Sequence, residues 1–272
     1  MQISVIIPTF NRAHTLKRAL DSVLAQQYLP AEIIVVDDGS EDETQSLLEG
    51  YPNIVKFKQA SNLGVSAARN TGIAEAKYLW LAFLDSDDEW LPEKLEKQVE
   101  AAEHYPEISI FHTDEIWIRN GKRVNAMKKH AKPDGWVYSA SLPLCCVSPS
   151  SVLLHRKVLE QCGGFDTDFP ACEDYDLWLR LFNQFPVKLI DEQLLVKYGG
   201  HKDQLSHQHW GMDRFRVKAL DKILKSHALK GENRALTVQM LQEKCHILIN
   251  GAEKRGHTEL AEQYTALASR YA

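Results

Sequence analysis

The chain has 272 residues, with 32 lysines and arginines against 37 aspartates and glutamates, a formal net charge of −5 and 44% hydrophobic residues. That balance is globular, with core enough to fold without staples. It excludes a disordered or fibrous chain and provides no basic surface for non-specific nucleic-acid binding.

Met1-Gln2 runs into an apolar segment without a basic leader, so no signal peptide is expected. Ile3 to Ile7 reads as a strand covered on both faces, and Leu16, Leu20, Val23 and Leu24 follow at helical spacing. Ile33 to Val36 predicts a second buried strand, Thr44 to Leu48 a short helix, and Ile54 to Phe57 a third strand. Gly64 to Ala76 predicts a helix, Tyr78 to Leu84 a fourth strand, and Leu91 to Tyr105 a helix with Pro92 in its first turn and a Glu93/Lys97 pair. Strands alternating with helices imply a mostly parallel, doubly wound α/β sheet.

Beyond Ile108 the texture changes. Ile108 to Val124 predicts a hairpin turning at Asn120-Gly121, Lys128 to Pro149 is irregular, Ser151 to Leu154 is a buried strand and Asp174 to Phe182 a helix. From Asp213 the pattern is helical, divided by Gly231, Gly251 and Gly256 into three helices. Lys218, Lys222 and Lys225 on the first of them suit either an anionic lipid surface or a solvated face. The longest uncharged stretch, Gly135 to Leu154, is broken by Pro143 and Pro149 and makes a poor membrane span. Five cysteines in no CxxC pattern suggest reduced thiols, with Cys145 and Cys146 as core residues and a cytoplasmic location.

Polar, turn-forming clusters sit where the parallel strands end, the edge at which open α/β sheets bind ligands. They are Pro8-Thr9-Phe10-Asn11-Arg12, Asp37-Asp38-Gly39-Ser40 and Asp85-Ser86-Asp87-Asp88. Carboxylates at alternate positions after a buried strand can share Mg²⁺ or Mn²⁺ with phosphate oxygens. The plainer reading of each cluster is a turn or a helix cap. Arg69, inside the mostly small-residue segment Asn62 to Asn70, is harder to explain as packing and suits a base or phosphate. His201, His207 and His209 lack a cysteine at ligand spacing, which favours a solvated loop over zinc.

PTFNR, DDGS, NLGVSAARN, LDSDD and EDYDLWLR, in that order between Ile3 and Ser206, resemble glycosyltransferase family 2, departing only at Phe10, where tyrosine is common. The resemblance implies an inverting enzyme with the GT-A fold, a Rossmann-like α/β fold with a mostly parallel central sheet. Residues 1–212 would form it, with 1–107 as nucleotide-binding half and 108–212 as acceptor-side half, and residues 213–272 would be a helical extension. It implies that Pro8, Thr9, Asn11, Arg12, Asn62 and Ser86 line the nucleotide-sugar pocket, Asp38 contacts the base and Arg69 lies beside base or diphosphate. Asp85 would touch the ribose and the metal, and Asp87 would be the main ligand of a divalent cation, Mn²⁺ or Mg²⁺, with His201 as an additional metal candidate. Asp174 would be the general base, with Glu173 and Asp176 as alternates.

On the acceptor side stand Glu173, Arg180 (phosphate contact or helix brace) and Trp136, which with Trp178 could platform a sugar or simply pack. The implied activity moves one sugar, expected from a UDP-sugar, to a hydroxyl of a glycan or lipid-linked precursor. The expected protein works in the cytoplasm or peripherally at the inner face of the membrane. A sugar-nucleotide pyrophosphorylase or a non-catalytic binding module are the alternatives. The missing G-x-G-x-x-G and G-x-x-x-x-G-K-[ST] patterns argue against a dinucleotide dehydrogenase or a P-loop enzyme, and no Q-x-x-R-W run marks a processive synthase.

Overall fold

A computed structural model gives the fold and describes residues 1–125, 127, 130–200 and 209–271. The first half runs β1 (Ile3–Thr9), α1 (Ala13–Leu24), β2 (Glu32–Asp37), α2 (Thr44–Glu49), β3 (Val55–Lys58), α3 (Val65–Glu75) and β4 (Trp80–Phe83). β1 pairs in parallel with β2 and β4, and β2 with β3, as the alternating pattern predicts. β3 differs from expectation in being a mostly exposed edge.

The second half adds β5 (Glu89–Trp90), α4 (Lys94–His104), β6 (Ile110–Arg119), β7 (Lys122–Val124), α5 (Tyr138–Ser141), β8 (Leu153–His155), α6 (Lys157–Cys162), α7 (Glu173–Phe182) and β9 (Lys188–Gly199). The sheet is mixed rather than mostly parallel: β8 lies antiparallel between β4 and β6, β9 is parallel to β6, and β5 is antiparallel to β9. An apolar run such as Ser151 to Leu154 marks burial but carries no information on strand direction. β9 escapes the sequence reading because Asp191, Glu192 and Gln193 interrupt its apolar residues. At that point its pairing with β6 shifts register, between Thr113 and Ile116. α4 starts at Lys94, since the Leu91 N–H donates to the Leu194 carbonyl, and Lys97 pairs with Glu100 rather than Glu93.

Alternation along β1 builds two cores. Val5 and Ile7 face Leu16, Leu20 and Val23 of α1 and Leu95 of α4, whereas Ile6 faces Ala68 of α3 and Leu177, Trp178 and Leu181 of α7. α3 lies close on β1: a Cβ on Gly72 would come 2.4 Å from Ile6 Cγ2. The C-terminal segment forms α8 (Asp213–Lys225), α9 (Gly231–Glu253) and α10 (Thr258–Ser269), the three helices expected, but Gly251 lies within α9 and divides nothing. A third core joins Val217, Leu220 and Ile223 of α8 and Leu241 and Cys245 of α9 to Tyr175 and Leu179 of α7. Lys218, Lys222 and Lys225 are tied to the Asp168 carbonyl, to Asp166 and Asp176, and to Asp221 respectively, so they form no unpaired basic face. No described helix is long and apolar enough to cross a membrane.

Candidate active site

Four loops, α3 and the start of α7 converge on a cleft of about 600 Å³. Pro8 and Thr9 at the end of β1, Arg12 after it, Asp38 after β2, Asn62 before α3, Arg69 on α3, Asp85, Ser86 and Asp87 after β4, and Glu173 and Asp174 opening α7 all line it. Carboxylates 87 positions apart, Asp87 and Asp174, thus share one cavity. Thr9 Oγ1, Ser66 Oγ and Arg69 Nε are buried with no partner among the described residues, leaving polar capacity for a ligand.

The DDGS turn is built to hold the loop before α3. Asp37 Oδ1 accepts the Ser40 N–H at 2.9 Å, and the two oxygens of Asp38 accept the Leu63 and Gly64 N–H groups, each at 2.8 Å. Burial raises the Asp38 pKa, and those two amides oppose the shift. Gly39 has φ +80°, and a Cβ there would stand 2.8 Å from the Ser61 carbonyl carbon, so the turn admits only glycine. Asn62 accepts the Gly64 N–H through Oδ1 at 3.0 Å.

Arg69 joins the two acidic motifs. Its Nη2 donates to Asp85 Oδ1 and its Nη1 to Glu173 Oε1, both at 2.7 Å, and the guanidinium lies 4.9 Å from the Phe165 ring centroid. Burial works against its charge, but Asp85 and Glu173 outweigh burial and raise its pKa. Glu173 is raised by burial first and by Asp174 second, with Arg69 opposing both. Ser150 links Asp85 to Asp88: its Oγ accepts the Asp85 N–H at 3.0 Å and donates to Asp88 Oδ2 at 2.7 Å. The Asp87 carbonyl accepts from Arg18 at 2.6 Å, which fixes the turn.

The acidic start of α7 separates into three roles. Glu173 holds Arg69, and Asp176 points away to Arg180 and Lys222, each at 2.8 Å. Asp174 lies in no ion pair with a described residue; its Oδ2 accepts from the Cys145 thiol at 3.1 Å and its Oδ1 from the Tyr175 N–H at 2.7 Å. Cys172, just before α7, adopts a left-handed conformation (φ 61°), the kind of strain that settles at functional sites. A carboxylate positioned without a salt bridge to any described residue, in a cleft that carries other carboxylates and polar atoms with no described partner, can accept a proton from a bound hydroxyl.

Other expected residues lie elsewhere. Asn11, at φ 50°, turns its Oδ1 to the Glu41 N–H at 2.9 Å, bracing the loop instead of lining the cleft. Arg180 donates to the Cys162, Gly163 and Gly164 carbonyls and to Asp176, so of its two readings the brace holds. Trp136 is 69% exposed and lines no cavity described, while Trp178 is buried and donates to the Val147 carbonyl. His209 lines the cleft, whereas His201 and His207 lie outside the described residues.

Two groups escaped the sequence reading. Lys197 on β9 lines the cleft, and although burial disfavours its charge, Glu115, Asp88, Asp85 and Asp174 raise its pKa. A lysine inside the apolar run Leu194 to Tyr198 was the available signal. Cys145, read as a core thiol, hydrogen-bonds Asp174.

The family model described as glycosyl transferase family 2 matches residues 4–162. An uncharacterised glycosyltransferase of Rickettsia conorii is 32% identical over 209 residues, 74% of this chain but 34% of that protein, so the chain spans about a third of that relative. The Escherichia coli UDP-Glc:α-D-GlcNAc-diphosphoundecaprenol β-1,3-glucosyltransferase WfgD is 32% identical over 70% of this chain and 73% of its own. Among solved structures, Staphylococcus aureus TarS residues 1–349 in complex with UDP-GlcNAc superposes with TM-score 0.73 at 19% identity, covering 90% of this chain and 71% of that one.

Proposed function

The chain belongs to glycosyltransferase family 2 and has the GT-A fold, and on that premise we propose that it transfers one sugar from a UDP-sugar to a hydroxyl of a lipid-linked or glycan acceptor. The observation that carries this reading is the shared cleft: Asp85, Asp87 and Asp174 all line it, and Arg69 ties Asp85 to Glu173, the residue before Asp174. The relation to WfgD, whose name gives a UDP-glucose donor and a GlcNAc-diphosphate lipid acceptor, supports the same substrate classes here.

Pro8, Thr9, Arg12, Asp38 and Asn62 would seat the nucleotide at the ends of the parallel strands. Asp87, with Asp85, would hold a divalent cation, Mn²⁺ or Mg²⁺. Among the described residues no group of three or more histidine, cysteine or acidic side chains gathers as a metal site, so the donor set fits an ion that takes its remaining oxygens from diphosphate and water. Such an ion, when bound, neutralises charge that develops on the leaving diphosphate. Asp174 takes the proton of the acceptor hydroxyl as its oxygen attacks the anomeric carbon and the bond to the diphosphate breaks, which inverts configuration. Cys145 and the Tyr175 N–H orient that carboxylate.

The test incubates the full chain with UDP-glucose, Mn²⁺ and a short-chain alkyl ester of α-GlcNAc diphosphate. Release of UDP with a single-hexose product supports the reading. Absence of UDP release with this and other UDP-sugars, in protein that is folded, rejects it.

A further inference from the structure

A second cavity of about 460 Å³ adjoins the cleft and shares two lining residues with it, Asp174 and Lys197. Asp174 therefore stands in the wall between them. Four of its lining side chains are cationic, Lys132, Lys197, Arg216 and Lys244, against three carboxylates, Glu115, Asp174 and Asp213. The cations are positioned with donors to spare. Lys132 Nζ donates to Glu115 at 2.9 Å and the Cys146 carbonyl at 3.0 Å, and Lys244 Nζ to Asp213 at 3.0 Å and the Pro143 carbonyl at 2.8 Å. An ammonium has three N–H groups, so each keeps one beyond these partners. Arg216 Nη1 holds Asp213 at 2.8 Å, while its Nε is buried with no partner among the described residues. Arg216 lies on α8 and Lys244 on α9, beyond the residues that match the family model.

We propose that this second cavity binds the phosphate or diphosphate ester of the acceptor, with Lys132, Arg216 and Lys244 as its donors, so that the C-terminal helices complete the acceptor site. The proposal rests on Asp174 being the base. An acceptor hydroxyl must then reach Asp174, and the second cavity opens on that residue. An uncharged ligand would leave the excess positive charge unanswered, whereas phosphate oxygens meet it. Glu115, held ionised by Lys197 and Lys132, and Trp117 remain for sugar hydroxyls and a ring face.

The experiment uses the full chain with its donor cleft saturated by UDP and Mg²⁺. Three probes are titrated by calorimetry: the short-chain alkyl ester of α-GlcNAc diphosphate, α-GlcNAc 1-phosphate, and an uncharged alkyl α-GlcNAc glycoside. The diphosphate ester is expected to bind at least tenfold more tightly than the uncharged glycoside, and the Lys132→Gln/Arg216→Gln variant to cut that ratio below threefold. An equal preference for the 1-phosphate keeps the site and assigns it to sugar phosphates instead of a lipid-linked diphosphate. Equal binding of charged and uncharged probes by the wild type, or an undiminished ratio in the variant, overturns the proposal. UDP affinity reports folding in every preparation. If the double variant does not fold, Arg216→Lys, which keeps the charge and loses Nε, should lower the ratio about threefold, and no change overturns the proposal. Intact phosphate preference without transfer to any acceptor would reject the transferase reading and leave this site standing.

Discussion

Arg69 illustrates what a residue-level reading reaches. A guanidinium in a small-residue helix stands out in the sequence, but its partners lie 16 and 104 positions away and emerge only when α3, the β4 loop and α7 meet. Expected beside the nucleotide, it lines the cleft and is also buried between Asp85 and Glu173, a bracing position. Removing one member of a buried pair leaves the others uncompensated, so Arg69→Ala is expected to lower unfolding free energy by about 3–5 kcal/mol in urea titration. A loss below about 1 kcal/mol would show that the network is not a structural brace. Arg69→Lys keeps the charge but lacks the planar fork that reaches both carboxylates, so UDP affinity should fall with it. The thiol of Cys145 was equally illegible. Cysteine in an apolar context reads as packing, and only the fold brings its Sγ to 3.1 Å from Asp174.

At the scale of elements, the first half was legible because β1, β2 and β4 carry short apolar runs and α1 a 3.6-residue period. β9 was not, since its twelve residues contain an exposed acidic bulge, and with it went Lys197 and the mixed character of the sheet. The contact of α3 with β1 is the tightest consequence of that architecture for the site, because α3 carries Arg69. Gly72→Ala would push a methyl group against Ile6, at 2.4 Å in the unrelaxed geometry. Overpacking of this kind costs about 1–3 kcal/mol, and a thermal melt should show the loss. A variant as stable as the wild type would mean that α3 can lift from the sheet without consequence.

The whole molecule adds constraints that no single element carries. His112 on β6 is fully buried, its Nε2 donates to the Pro133 carbonyl at 2.8 Å, and its Nδ1 has no partner among the described residues. Burial lowers its pKa from 6.5 to about 4. Below pH 6.5 the unfolded chain takes up a proton that the folded protein refuses until about pH 4. Stability from this group is therefore complete above the higher value and is lost as pH falls through that window, on the order of 3 kcal/mol in all. His112→Gln should flatten the slope of unfolding free energy against pH between those limits, and an unchanged slope would assign it to other groups. The five cysteines, all free, have pKa values raised mainly by burial, so Ellman titration of the native protein at pH 8 should find no fast thiolate. One fast-reacting thiol would contradict that burial.

The C-terminal helices, legible as helices but not in their role, share a core with α7 and so support the helix that bears Asp174. Everything functional depends on that carboxylate facing the donor across one cleft. The most direct measurement is the single-turnover rate of sugar transfer by Asp174→Asn with UDP-glucose and Mn²⁺. Loss of a general base predicts a fall of about 10²–10⁴-fold while UDP still binds; a rate within a few-fold of the wild type would contradict it.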